Sequence, residues 1–318
     1  MLDVVVDDPD SARWVGGFIS ACRDTLRTLE VHSPFKAEYL PIILNLPQLR
    51  RLRLDWAHFP SDLPFDAFPA LEWFTFRHFQ GHSLQHFLGR LCTTRLKVAQ
   101  IYSADDIDIK KSVAALCRFS NSLKCLEISA VTGLDLLRFS AARPLFLNLK
   151  NLHLWCFGKG GTSHGVCAFQ PSDQAIVELG TSMPNLINLT LGSPTCVDLQ
   201  CVTFLSLVSL SKTCRDLERL RIKVDFETMI TLSLSTAEGF GTNAVSDETF
   251  GSGCRLHKLV VGTSTLPDHP DSGWLVAAGL GKIFPSLSEV KGYGAERSKW
   301  GQVERNIKMS RQALCSEV

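Results

Sequence analysis

No stretch of the sequence approaches 18 uncharged apolar residues, so none has the length and character of a membrane-spanning helix. An excess of either charge is also missing. The 33 Lys and Arg stand against 32 Asp and Glu, for a net charge of +1. That balance argues against capture of nucleic acid or a membrane surface by the chain as a whole and leaves only a local patch open. The N-terminus, Met1 to Asp10, is acidic where a secretory or mitochondrial leader is basic. Eleven cysteines, an odd number, are scattered without paired CxxC spacing. In a chain of this kind they read as reduced thiols of an intracellular protein, cytoplasmic or nuclear. Asn188-Leu189-Thr190 matches a glycosylation sequon but falls inside a predicted strand.

What the sequence does have is a repeat. Among its 318 residues, 45% of them hydrophobic, a unit of the form apolar-x-x-apolar-x-apolar recurs. It runs through Leu26/Leu29/Val31, Leu49/Leu52/Leu54, Leu71/Phe74/Phe76, Leu96/Ala99/Ile101 and Leu123/Leu126/Ile128. It continues through Leu149/Leu152/Leu154, Leu186/Leu189/Leu191, Leu217/Leu220/Ile222 and Leu256/Leu259/Val261 to a decayed Leu287/Val290. Met1/Val4/Val6 fits the tail of a still earlier copy. The first leucines are 23, 22, 25, 27, 26, 37, 31, 39 and 31 residues apart. The early spacings match leucine-rich repeats of roughly 20–29 residues, and the later ones imply insertions. The second and third apolar positions are two apart and so share one face of a short strand, while the first fills the turn entering it. A single strand cannot bury that face, but stacked copies can.

Between the strands the spacing is helical. Trp14, Val15, Phe18, Ile19 and Cys22 fall on one face, as do Leu84, Phe87, Leu88 and Leu91, and Ile109, Val113, Leu116 and Cys117. Ser172-Asp173 can cap a further helix through Leu179, and Phe204 to Leu210 is another candidate. Proline precedes the leucine run in Leu46-Pro47-Gln48-Leu49, Phe68-Pro69-Ala70-Leu71, Met183-Pro184-Asn185-Leu186 and Phe284-Pro285-Ser286-Leu287, where it ends a helix and starts an extended segment.

The predicted fold is therefore an α/β leucine-rich-repeat solenoid, a horseshoe of the ribonuclease-inhibitor kind, with parallel strands on the concave side and helices on the convex side. About ten irregular repeats are expected over residues 1–295, followed by a capping helix and tail over 296–318. Trp300, Val303, Ile307 and Leu314 form that helix's apolar stripe. The N-terminus opens directly on apolar Leu2, Val4, Val5 and Val6, which leads us to expect further natural sequence upstream.

The segment from Leu207 through Lys212-Thr213-Cys214-Arg215-Asp216-Leu217 to Ile222 resembles the repeat arm of F-box proteins, especially fungal ones. The stretch from Leu256 through Ile283-Phe284-Pro285-Ser286-Leu287 to Trp300-Gly301-Gln302-Val303-Glu304 is similar to the ending of such proteins. The resemblance implies a substrate-recognition arm of a cullin–RING ubiquitin ligase, which would meet the ligase adaptor through an F-box. Tyr39-Leu40-Pro41-Ile42-Ile43-Leu44 is similar to the opening of that module, but Leu49 begins a repeat five residues later and leaves no room for its helices. The F-box itself is therefore not expected within these residues, and a ligase adaptor is an expected partner only if an F-box lies upstream. The alternatives are a general repeat adaptor unrelated to ubiquitin and, less favoured, a hydrolase using the loop at 158–165.

Three local patterns could instead suggest chemistry. Gly161-Thr162-Ser163-His164-Gly165 has the G-x-S-x-G form of a hydrolase nucleophile, but Gly158-Lys159-Gly160 separates it from the strand that this motif requires. It reads as an inserted loop. His78, His82 and His86 are spaced by four, yet a strand end and Gly81 divide them, so the imidazoles need not converge on a metal. Asp105, Asp106 and Asp108 suit the start of a helix, where carboxylates meet the helix dipole. No catalytic residue, cofactor or metal is expected.

Residues alternating with the strand leucines point away from the core. Their columns carry eight cationic residues (Arg51, Arg53, Arg77, Arg219, Arg221, Lys223, Lys258, Lys291) against four anionic ones (Glu30, Asp55, Glu127, Glu289), interleaved with Trp73, Tyr102 and Trp155. Arg, Trp and Tyr are common interface anchors. The expected partner-binding residues are Arg53, Arg77, Tyr102, His153, Trp155, Arg219, Arg221 and Lys223, meeting an acidic or phosphorylated protein segment.

Overall fold

The computed structural model describes residues 2–6, 12–34, 40–56, 67–79, 87–103, 109–130, 146–156, 171–192, 201–227, 229 and 253–316. It is an α/β protein of parallel strands and helices whose chain groups into two compact units, Met1–Leu134 with Ala141–Phe157, and Asp135–Ser140 with Gly158–Val318.

The first unit holds β1 (Leu2–Val6), β2 (Leu26–Pro34), β3 (Arg51–Trp56), β4 (Trp73–Phe79), β5 (Val98–Ser103), β6 (Cys125–Ala130) and β7 (Asn151–Cys156), ordered as in the chain. Every recorded pairing is parallel, and the register is the one that the repeat dictates. Val4, Leu29, Leu52, Phe74, Ala99, Leu126 and Leu152 face one another in succession. From Leu29 to Leu152 this rank is fully buried. The next rank (Val31, Leu54, Phe76, Ile101, Ile128, Leu154) is buried with it, because residues two apart share a face. Phe74, Phe76 and Phe87 close edge-to-face and stacked contacts at 4.7–5.5 Å between ring centres.

Between strands lie α1 (Ala12–Ala21), α2 (Leu40–Leu44) and α3 (Ile109–Leu116). Ile19 is buried as its helical spacing predicts, but Phe18, assigned to the same face, is 42% exposed. Helical positions one apart differ by about 100°, so only one of the pair can point at the core. The segment similar to an F-box opening forms α2, the helix between β2 and β3, with Ile43 and Leu44 buried. Its Pro41 sits in the first turn, where no N–H is needed.

The second unit holds β8 (Asn188–Leu191), β10 (Arg219–Arg221), β12 (Lys258–Gly262) and β13 (Glu289–Gly292), parallel in that order, with Leu189, Leu220, Leu259 and Val290 in register. A separate parallel pair joins β9 (Val202–Thr203) to β11 (Val224–Asp225). This pair shortens β10. Strand was predicted through Lys223, but the chain leaves the sheet after Arg221, and the Lys223 carbonyl accepts from Val202 N at 3.1 Å.

The helices of this unit are α4 (Asp173–Ser182), α5 (Phe204–Thr213), α6 (Ser272–Ile283) and α7 (Arg297–Ser316). The predicted cap is present, with Ala175 N donating to Ser172 Oγ at 3.2 Å. Asp173 Oδ1 accepts from Thr203 N at 2.8 Å, which ties the first turn of α4 to the start of α5. The predicted terminal helix is α7, with Trp300, Val303 and Ile307 buried. Among the described residues no helix is long and apolar enough to cross a membrane.

Six of the ten leucine runs are entered by the same tight turn. The N–H of Leu49, Leu71, Leu149, Leu186, Leu217 and Leu287 donates to the carbonyl three residues earlier, on Leu46, Phe68, Phe146, Met183, Cys214 and Phe284, at 3.0–3.4 Å. Proline suits the second position because its φ is preset for such a turn. The carbonyl-bearing residue is buried in every copy, a further core column before each first leucine.

In one copy a cysteine, Cys214, fills this position. The seven cysteines whose side chains are described are in no disulfide. Cys214 and Cys254 are buried, and Cys254 Sγ lies 3.6 Å from Cys214 O and 3.7 Å from Leu217 O. Burial pushes the Cys214 and Cys125 thiols up to about 11. At pH 8 only about one such thiol in a thousand is ionised, and the thiolate is the reacting form. Native protein treated with iodoacetamide at that pH should leave both unmodified by peptide mass mapping, whereas urea-unfolded protein should label both. Labelling in the native state at the unfolded rate would contradict the burial of Cys214 and the half-burial of Cys125.

Candidate functional site

The strand leucines seal one face of each sheet, so function falls to the alternating residues on the other. In the first unit the five nominated residues Arg53, Arg77, Tyr102, His153 and Trp155 project from that face, and contacts connect them into two groups. Arg53 Nε donates to Asp55 Oδ1 at 3.3 Å, and its Nη1 lies 3.7 Å from Glu30. Arg77 approaches the same Asp55 at 3.9 Å and stands 5.5 Å over the Tyr102 ring. His32 Nδ1 meets Asp55 at 3.1 Å, and Arg51 both pairs with Glu30 at 3.2 Å and stacks on Trp73 at 3.6 Å. The sequence counted Arg53 and Arg77 as part of a cationic patch. The structure balances them with Glu30 and Asp55, so this cluster is a cross-strand ion-pair network with little net charge. Such pairing orients the side chains more than it stabilises the fold.

The network continues through polar side chains. Trp73 Nε1 and Thr75 Oγ1 donate to Gln100 Oε1 at 3.3 and 2.8 Å, and Gln100 Nε2 donates to Glu127 Oε2 at 2.8 Å. Burial together with its hydrogen bond to Glu127 raises the Tyr102 phenol well above its ordinary value, so it stays a neutral donor. At the end of the series His153 and Trp155 stack at 6.0 Å. Trp155 Nε1 and Ser129 Oγ are buried and, among the described residues, have no hydrogen-bond partner. Ser129 and Trp155 are register partners on β6 and β7. Among the described residues this leaves two adjacent polar groups beside an aromatic ring without an acceptor.

In the second unit Arg219 and Arg221 alternate on β10, opposite Lys258 and Val260 of β12. Among the described residues neither arginine has an acidic partner. Lys258 and Lys291 share Glu289, whose carboxyl is held below its ordinary range first by the hydrogen bond from Lys291. The exposed face here thus carries four cationic side chains against one carboxylate. Lys223 does not share it, because it lies past the end of β10.

The sequence reading missed a row of charge. The residue after each first leucine (Arg27, Arg50, Glu72, Lys97, Lys124, Lys150) forms a rank at the entry edge of the first sheet. A peptide ladder holds it in place: Arg50 N donates to Arg27 O, Glu72 N to Arg50 O, Lys97 N to Glu72 O, Lys124 N to Lys97 O and Lys150 N to Lys124 O, all at 2.7–2.9 Å. Lys97 pairs with Glu72 at 2.6 Å, and that hydrogen bond holds the Glu72 carboxyl below its ordinary range. Arg50 also lies 3.7 Å from Glu72, and Arg27, Lys124 and Lys150 are exposed. The signal was legible as the x immediately after the first leucine in Leu26-Arg27, Leu49-Arg50, Leu96-Lys97, Leu123-Lys124 and Leu149-Lys150.

The G-x-S-x-G loop and Asp105, Asp106 and Asp108 lie outside the described residues, as do His82 and His86. His78 falls on β4, whose end carries no described side chain. Comparison with protein-family models and with curated proteins finds no match to this chain.

Proposed function

We propose that this chain is a leucine-rich-repeat array that binds an acidic or phosphorylated protein segment along the exposed face and entry edge of its parallel strands. It acts by recruitment and makes or breaks no bond. The observation that carries this reading is the order imposed on its cations. Parallel register sets successive side chains about 4.8 Å apart in ranks. Arg219 and Arg221, and Arg27, Lys124 and Lys150 of the entry row, stand in such ranks without a neutralising acid among the described residues. Guanidinium and ammonium groups fixed on a rigid ladder meet carboxylates or phosphates in charge-assisted bonds with little ordering cost. In the first unit, Tyr102 and Trp155 supply apolar contact on that unit's own exposed face. The resemblance to F-box repeat arms extends the reading to substrate recognition for a cullin–RING ubiquitin ligase.

The test is a fluorescence-anisotropy titration with labelled hexaglutamate and with a phosphoserine-containing peptide. Binding should weaken as salt rises, and Arg219→Glu/Arg221→Glu should raise Kd at least about tenfold, equivalent to about 1.4 kcal/mol. The melting temperature should not change, because neither residue belongs to the core. Absence of binding by the wild type, or equal binding by the double variant, would refute the proposal.

A further inference from the structure

The second unit carries a cavity of about 380 Å³ away from its strands. It opens between the Leu266–Pro270 loop, the first turn of α6 and the face of α7 that presents Lys299, Gln302 and Asn306. Such a volume lies within the range of small-ligand sites, about 300–1,000 Å³.

Its chemistry is set by one amide. Arg305 donates to Gln302 Oε1, at 2.6 Å from Nη2, and this fixes which end of the Gln302 amide is oxygen. Gln302 Nε2 then donates to Asn306 Oδ1 at 2.8 Å, which fixes Asn306 in turn. The Asn306 NH2 is left over. The side chain is 1% exposed, and Nδ2 has no partner among the described residues. A Cβ placed on Gly273, across the cavity, would stand 3.8 Å from that nitrogen, so the donor points into the shared space. A buried N–H without an acceptor costs on the order of 1–3 kcal/mol, a penalty that an incoming acceptor removes.

Other donors converge there. Asp271 caps α6 without a side-chain hydrogen bond, and although Ser272 N and Trp274 N meet the His269 and Asp271 carbonyls at 3.0 Å, no side chain covers the start of that 12-residue helix. His269 Nδ1 accepts from Asp271 N at 3.2 Å, which places the proton of the neutral ring on Nε2. The site nevertheless does not favour a multiply charged anion. Lys299 is already paired with Glu296 at 3.1 Å, and Asp268 adds a carboxylate to the lining. The acceptor it suits is neutral. Beside it Trp274 is 50% exposed, and Pro267 and Pro270 line the same space, an apolar platform for a ring.

We infer that this cavity binds a proline-containing peptide segment in extended polyproline conformation, with a prolyl ring on Trp274 and the carbonyl before it accepting from Asn306 Nδ2. A prolyl peptide bond suits the site because it brings an acceptor and no N–H of its own. The extended helix is also largely ordered before binding and so loses little entropy. The site is independent of the cationic ranks proposed above.

Isothermal titration with acetyl-hexaproline-amide tests this, with a Gly/Ser peptide of equal length and N-acetylprolinamide as comparators. Hexaproline should bind the wild type with Kd on the order of a hundred micromolar. Trp274→Ala and Asn306→Leu should each raise Kd at least about tenfold. Asn306→Leu should melt at the wild-type temperature, since it removes an unmet donor along with one hydrogen bond. Should it melt early, Trp274→Ala makes the same test from a half-exposed position. No binding of hexaproline at millimolar concentration, equal binding of either comparator, or unchanged Kd in Trp274→Ala would overturn the inference.

Discussion

Trp300→Ala is expected to destabilise the second unit by about 3–5 kcal/mol, a large fraction of a typical domain's stability. The indole is fully buried, donates from Nε1 to Ser264 O at 2.9 Å and packs 5.2 Å from the Phe226 ring. Ser264 is itself a junction, because its Oγ accepts from Val224 N at 2.8 Å. One side chain on α7 therefore holds the loop after β12 and the start of β11. Alanine would leave a cavity and strand the Ser264 carbonyl. Gly292→Ala should damage the same contact from the other side, since a Cβ there would overlap Trp300 Cδ1. Urea titration at equilibrium measures both. A cost below about 1 kcal/mol for Trp300→Ala would mean that α7 does not cap the strands in this way.

Leu126→Ala and Leu189→Ala are each expected to cost about 2–5 kcal/mol. Leu126 stands in rank between Ala99 and Leu152, and Leu189 opposite Leu220, all buried. Truncation beside Ala99, already the smallest member of its rank, leaves the larger void, so Leu126→Ala should fall in the upper half of that range. Near-zero cost at both positions would mean that the leucines do not face the core and that the register is wrong.

That register is legible in the amino-acid sequence because a period of two, anchored by a recurrent leucine spacing, leaves only one way to bury both apolar positions. Even the weak copy Leu96/Ala99/Ile101 and the decayed Leu287/Val290 pair where their spacing puts them. The turns were half legible: Pro47, Pro69, Pro184 and Pro285 marked them, but their i to i+3 bond and buried carbonyl residue also recur where no proline stands, at Phe146 and Cys214. Features set by competition between segments were not legible. Nothing in Arg219-Leu220-Arg221-Ile222-Lys223 says that β9 will draw the chain away after Arg221. Nor does a column count show that Arg53 and Arg77 face Glu30 and Asp55 across strands, since charge balance depends on which residues the ladder places side by side. The cavity at Asn306 was beyond sequence reasoning, because it depends on a three-residue chain of amide and guanidinium orientations.

The central claim is that the exposed face of the strands, rather than the helical layer, receives the partner. It is tested most directly by a photo-crosslinking amino acid placed at Arg221, and separately at Leu205, which is 56% exposed on α5. Each protein would be irradiated with the labelled phosphoserine peptide. The account predicts a crosslinked product from position 221 and none above background from position 205. Crosslinking from 205 equal to or greater than that from 221 would contradict it.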